Sequence, residues 1–269
     1  MSATFAQFLS GKCTVWVTGA SSGIGRELAL QLAQAGHRVI ISARSTDTLQ
    51  EMAQLYPQQL LPMPIDMADT TSMTQAKEQL AALAPALDLV ILNAGTCEYL
   101  DNGAIDIELI RRVMTINVDG TLCAAAMALP LLQKSNRQNV KIPALYVVSS
   151  QVTTLPLTRS GAYGASKAAL EYFFRCLRID VMAAGIFIGI IRPGFVKTPL
   201  TDRNDFSMPW LWPADKAATI ILAGIDQRKS EIVFPRALHW LLSLMASLPH
   251  AWWASLSQRM QKPAEKDAP

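Results

Sequence analysis

The chain has 269 residues, 51% of them hydrophobic, and a formal net charge of +3 from scattered lysines and arginines, which allows a substantial core and gives no reason to expect nucleic acid as a partner. The four cysteines, Cys13, Cys97, Cys123 and Cys176, lack metal-ligand spacing and read as free thiols in a reducing cytosol. No charged region precedes an apolar signal core at the N-terminus. No uninterrupted apolar run reaches the roughly 18 to 20 residues of a membrane span, so a cytoplasmic protein is expected.

Residues 13–17 form a short apolar, β-branched run that reads as a buried strand. Thr18-Gly19-Ala20-Ser21-Ser22-Gly23-Ile24-Gly25 follows at once, then a helical pattern over 26–35 that Gly36 stops. Residues 37–43, with Val39, Ile40 and Ile41, read as the second strand. Glycines between a strand and a helix let the backbone turn tightly and approach a pyrophosphate, whose charge is favoured at the helix N-terminus. Gly19, Ser21, Ser22, Gly23, Ile24 and Gly25 are therefore candidate nucleotide-binding residues. An NAD-binding chain usually places a carboxylate about 20 residues beyond the glycines to hold the ribose 2′-hydroxyl. Here the positions are Ser42-Ala43-Arg44. No carboxylate repels a 2′-phosphate and Arg44 can pair with it, which favours NADP over NAD; the competing reading of Arg44 is a solvated loop arginine.

The pattern continues with a helix over 46–56, a strand over 60–65 that ends at Asp66-Met67, and a helix over 71–83. A strongly apolar strand over 87–92 runs into Asn93-Ala94-Gly95. A long helix within 106–132 holds Asn117, a poor helix former, and 133–142 reads as a polar surface loop. The fifth strand, 144–148, ends at Ser149-Ser150. A helix over 162–184 carries Tyr163 and Lys167, about one turn apart and so on one face. An ammonium beside a phenol favours the phenolate, so Lys167 is expected to lower the pKa of Tyr163 and make it a proton donor and acceptor. A sixth strand over 186–191, a helix over 214–225 and a last strand over 231–234 complete the pattern. Alternating strands and helices predict an α/β, Rossmann-type, doubly wound parallel sheet of about seven strands, with a ligand at the carboxyl ends.

The spacing Gly-x-x-x-Gly-x-Gly, then Asn93-Ala94-Gly95, Ser150, Tyr163 and Lys167, together and in this order, resembles the short-chain dehydrogenase/reductase family in its compact single-domain branch. The resemblance runs from about residue 11 to 235 and implies a catalytic set of Asn117, Ser150, Tyr163 and Lys167. Ser150 is preferred over Ser149 because the family's serine stands thirteen positions before the tyrosine. Asp66 and Met67 are implied to lie at the adenine, and Asn93, Ala94 and Gly95 to border the cofactor. Pro193, Gly194, Val196 and Thr198 are implied to lie beside the nicotinamide, with Tyr163 and Lys167 also touching the cofactor. NADP-dependent relatives often carry a second basic residue in the glycine turn, where this chain has Ser22.

The stretch 199–213, with Phe206, Met208, Trp210, Leu211 and Trp212, lies where this family covers its substrate, and its aromatic load fits an apolar substrate or plain lid packing. A single domain is expected over 1–235, an apolar helical extension over 236–261, and a disordered tail over 262–269. The extension reads as two short helices broken by Pro249, and three roles compete for it: a lid, a subunit interface, or peripheral contact with a membrane, which would place the protein at its inner face. The resemblance implies NADP(H)-dependent interconversion of a carbonyl and a secondary alcohol, on an apolar substrate, by a homo-oligomer. The alternatives are a non-catalytic NADP-binding sensor or scaffold, and a peripheral membrane reductase of lipid-derived carbonyls. No metal is expected.

Overall fold

Seven short strands in the computed structural model, which describes residues 8–101, 103–138 and 142–249, are apolar on both faces. They are β1 Thr14–Thr18, β2 Arg38–Ser42, β3 Leu60–Pro62, β4 Leu89–Leu92, β5 Ala144–Val148, β6 Phe187–Pro193 and β7 Glu231–Phe234. Such strands are stable only where helices cover both sides of the sheet. Successive side chains alternate between faces, so Val15 and Val17 enter one core layer and Trp16 the other. The first layer packs α1 (Gly23–Gln34), α2 (Thr46–Leu55) and α7 (Ala214–Asp226) through Leu28, Leu49 and Ile221. The second packs α3 (Thr70–Leu83), α5 (Gly120–Gln138) and α6 (Gly161–Asp180) through Leu80, Leu132 and Phe174. Each such side chain contributes about 2 kcal/mol by leaving water.

All strand pairs are parallel, in the order β3-β2-β1-β4-β5-β6-β7. The chain winds outward from β1 to β3, then returns past β1 to β4 and winds the other way. The turns after β1 and β4 therefore diverge and leave a crevice between them at the carboxyl end, where ligands of such sheets bind.

Several boundaries differ from the sequence reading. The third strand ends at Pro62, which cannot donate to a ladder. The polar stretch from Gln133, expected as a loop, continues α5 to Gln138; Gln133 and Lys134 are exposed and Ser135 turns inward to Asp88 at 2.6 Å. The expected long helix is three pieces: α4 (Ile107–Met114), a π-helical turn over Thr115–Asp119, and α5. The stretch Ile107–Ser135 contains a window of 18 residues with mean hydropathy 1.4, long and apolar enough to cross a membrane by length and composition, although Asp119 interrupts its apolar run. Nearly half of that window is buried in the fold, its inner face packing beneath the sheet. The last described helix, α8 (Arg236–Ala246), begins the extension; the second extension helix and the tail expected beyond it lie outside the described residues.

Candidate active site

The turn after β1 and the turn after β4 hold each other. The Thr18 hydroxyl accepts from the backbone N–H groups of Asn93 and Ala94 at 3.0 and 3.1 Å. The Asn93 amide donates to the carbonyls of Thr18 and Gly19 at 3.1 and 3.2 Å. This contact tolerates no side chain at two glycines. Gly19 has φ +66°, and a Cβ there would stand 2.8 Å from Ala94 Cα. A Cβ on Gly25 would stand 2.3 Å from the Gly19 carbonyl oxygen. Gly25 thus seats α1 against the turn, which aims the helix N-terminus into the crevice.

A cleft of about 650 Å³ opens there. Gly19, Ser21, Ser22, Gly23 and Ile24 line one end, with Arg44 beyond the end of β2 and Asp66 and Met67 beyond β3. Asn93, Ala94 and Gly95 form its floor, and Pro193, Gly194, Val196 and Thr198 its far wall. Of the residues assigned to a nucleotide from sequence, Gly25 is absent from the lining, because it lies beneath the turn as a packing residue. Glu98, Arg112 and Arg203 also line the cleft, with Arg112 paired to Glu98 at 2.8 Å; sequence reasoning missed all three. They stand in segments that follow β4 and β6, and a search of every segment after a strand end would have found Glu98 and Arg203.

Ser150, Tyr163 and Lys167 line the same cleft. Asn117 does not, but it is fully buried and joined to them. The π-helical turn carries it, closed by a bond from Gly120 N to the Thr115 carbonyl. Such turns are frequent at functional sites. Asn117 accepts from Thr96 N at 2.7 Å and donates to the Thr96 carbonyl at 2.9 Å and to Ser166 Oγ at 2.9 Å. Ser166 in turn donates to the Tyr163 carbonyl at 2.7 Å. Lys167 Nζ donates to the Val148 carbonyl at 2.9 Å and lies 5.8 Å from the centre of the Tyr163 ring.

Ser150 Oγ accepts from Val152 N at 3.2 Å and stands beside the Tyr163 phenol, whose pKa it lowers. Its turn is held from behind by Glu171, one helical turn past Lys167 and 5% exposed. Ser149 and Thr153 each approach Glu171 Oε1 at 2.7 Å, and Arg175 donates to Oε2 at 2.9 Å. Arg192 stands 3.4 Å from Oε1.

The electrostatics correct one expectation. Tyr163 has its pKa raised, not lowered: burial of the phenol is the largest cause, the neighbouring Cys97 adds to it, and the Ser150 hydrogen bond opposes it. Loss of water around the phenol sets the direction, and Lys167, expected to lower it, is not among the causes. Lys167 itself is pushed down from 10.5 to about 8, chiefly by burial, with Cys97 opposing. At neutral pH the tyrosine therefore keeps its proton and the lysine most of its charge.

A second cavity, of about 150 Å³, opens from the first on its apolar side. Ser150, Tyr163 and Gly194 line both. Cys97, Tyr99, Leu157 and Phe195 contribute to its wall, and Leu238 and Leu242 of α8 close it. Of the aromatic stretch expected to cover a substrate, Phe206 reaches the cavity. Trp210 and Leu211 are exposed, and Trp212 stacks on Phe234 at 5.8 Å. Cys97, Tyr99 and Arg159 on this wall were not foreseen. Among the described residues no group of three or more potential metal ligands is found.

The family model for short chain dehydrogenases matches residues 13–207. An uncharacterized oxidoreductase of Myxococcus xanthus is 33% identical over 251 residues, 92% of this chain and 97% of its own. A fatty acyl-CoA reductase of Acinetobacter baylyi is 32% identical over 263 residues, 93% of this chain and 83% of its own. In structure, a short-chain dehydrogenase of Sphingobium yanoikuyae in complex with NADPH superposes with a TM-score of 0.74 at 23% identity, covering 89% of this chain and 97% of that one. One from Burkholderia phymatum in complex with NAD reaches 0.78 at 18% identity, covering 96% and 99%. With the crevice, the seated glycine turn and matches over most of its length, the chain belongs to the short-chain dehydrogenase/reductase family of oxidoreductases.

Proposed function

We propose that the protein is an NADP(H)-dependent reductase of apolar carbonyl compounds, with Tyr163 as the proton donor. One observation carries this reading. Ser150 and Tyr163 stand at the junction of the larger, mixed-polarity cleft and the apolar cavity, where a cofactor in one would meet a substrate in the other.

The residues present fit a nicotinamide dinucleotide. The cleft runs from the glycine turn to Ser150, Tyr163 and Lys167, and Gly19, Gly23 and Gly95 line it without side chains. Arg44 is exposed beyond β2, with no carboxylate at Ser42 or Ala43 to repel a 2′-phosphate, which supports NADP over NAD. When bound, the cofactor supplies or accepts the hydride. The chain's own residues then act on the carbonyl oxygen. Tyr163 Oη, held protonated by burial, donates its proton there. Ser150 Oγ hydrogen-bonds the same oxygen and stabilises charge that develops on it. Lys167 brings a positive charge to this end of the cleft and Asn117 ties the helix of Tyr163 to the turn after β4. Burial keeps Tyr163 in the protonated form that reduction requires, while making the phenol a weaker acid.

The test is NADPH oxidation with a panel of apolar ketones and aldehydes. Tyr163→Phe should keep cofactor binding and lose turnover by at least about a thousandfold. Wild-type turnover in that variant on a genuine substrate ends this reading.

A second reading, contact with a lipid surface, is favoured by the outer face of α8. Leu238 and Leu242 face inward, whereas Trp240 is 71% and Leu244 64% exposed. An amphipathic helix with aromatic and aliphatic residues outward suits a membrane interface. Liposome flotation of the full chain against Trp240→Ser/Leu244→Ser reports on it; equal recovery in the soluble fraction counts against contact. Exposed Tyr172, Ile179 and Met182 on or near α6 support assembly into a homo-oligomer.

A further inference from the structure

Arg159 stands where an arginine is rarely found. Its backbone has φ 65°, in the left-handed region, and its side chain is 12% exposed. The guanidinium donates through Nε to Asp101, and through Nη1 and Nη2 to the two oxygens of Asp205 at 2.7 and 3.3 Å. It also lies over the Tyr99 ring, 5.2 Å from its centre. Its own carbonyl accepts from Leu100 N at 2.9 Å.

Three segments meet at this one residue. Tyr99 and Asp101 follow β4, Arg159 follows β5, and Asp205 follows β6. The same three segments wall the apolar cavity. A second tie, Tyr99 Oη to Asn204 Oδ1 at 3.0 Å, joins the first segment to the third, and the Tyr99 ring meets Phe206 edge-on at 5.7 Å.

Arg159 is also the charged residue on the cavity wall; every other side chain there, among the described residues, is neutral. A free guanidinium at that place would draw in a carboxylate or phosphate. This one is already paired with two carboxylates. An anionic substrate tail would leave water for an apolar wall and find its cationic partner already occupied by Asp101 and Asp205.

We propose that Arg159, clasped by Asp101 and Asp205, sets the specificity of the cavity for uncharged carbonyl compounds and turns away those with an anionic tail. This rests on the apolar cavity being the substrate site, as argued under Proposed function.

A matched pair of ligands tests it: 2-octanone, and 7-oxooctanoate, which keeps the methyl ketone and ends in a carboxylate. Binding of each to the NADP+-loaded full chain is measured by titration calorimetry. Wild type should bind the oxo acid at least about tenfold more weakly than the ketone. Asp101→Asn/Asp205→Asn leaves the guanidinium unpaired and should narrow the gap to within about threefold. Arg159→Leu keeps both carboxylates and should leave the gap at least as wide. If the double variant fails to fold, each single Asp→Asn variant should narrow the gap in the same direction. Equal binding of the two ligands by wild type, or an unchanged gap in folded Asp→Asn variants, overturns the proposal. If NADPH binds but neither ligand does, the specificity assignment falls and the cofactor reading stands; if NADPH does not bind, both fall.

Discussion

Lys167 Nζ donates to the carbonyl of Val148 at 2.9 Å, which ties the middle of α6 to the last residue of β5, two positions before Ser150. A sequence-local pair, Tyr163 and Lys167, is thereby locked to a residue distant in the chain. The same bond keeps an ammonium buried at the strand ends, at a cost visible in its pKa.

The cost predicts a stability effect. Burial lowers the Lys167 pKa from 10.5 to about 8, so between those values the unfolded chain binds the proton and the folded chain does not. Stability therefore rises with pH across that window, and the full penalty, about 3 kcal/mol, is present below pH 8. Loss of the bond to Val148 offsets about 1 kcal/mol of it. Lys167→Met should raise the melting temperature of the cofactor-free protein at pH 7, gain less near pH 10, and abolish turnover. Thermal melts at the two pH values check this; a lower melting temperature at pH 7 contradicts it.

Arg44 is exposed and makes none of the side-chain hydrogen bonds or ion pairs found among the described residues, so its removal should cost the fold little. Arg44→Ala should weaken NADPH binding by about tenfold or more and leave NADH within about twofold, since only NADPH carries the 2′-phosphate. Fluorescence titration of both cofactors decides it. An equal loss for both would mean that the change disturbs the cleft and that Arg44 does not read the phosphate.

Glu171 is the buried anchor of the turn that carries Ser150, with Arg175 on its second oxygen and Arg192 beside the first. Glu171→Ala leaves Arg192 without its carboxylate in a largely buried place and takes one acceptor each from Ser149 and Thr153. Loss of one partner from such a network costs about 3 kcal/mol. Urea denaturation should show that loss with an unchanged slope; Glu171→Gln, which keeps an acceptor, should lose less. A variant as stable as wild type would show that the network contributes only geometry.

The wide reach of the sequence reading came from local rules. Apolar runs too short for helices had to be strands, and being apolar on both faces they had to lie inside a covered parallel sheet. The glycines from Gly19 to Gly25 announced a crowded turn, which the Cβ distances at those positions bear out. Residues directly after strands were legible for the same reason: sheet topology brings strand ends together whatever the loops do, so Asp66, Asn93, Ser150 and Pro193 fell into one cleft.

What the sequence by itself determined is this order of strands and helices, the nucleotide turn, and the pairing of Tyr163 with Lys167 one helical turn away. The tertiary structure alone decided which environments those side chains meet. The sign of the Tyr163 shift depended on how much water its phenol loses, a sum over atoms from segments far apart in the chain. The apolar cavity depended on Leu238 and Leu242 folding back over Ser150, and its clasp on Arg159 meeting Asp101 and Asp205 across gaps of 58 and 46 residues. Periodicity and spacing are local quantities; burial and charge pairing are set by what the whole chain places around a group, and so become legible only once it has folded.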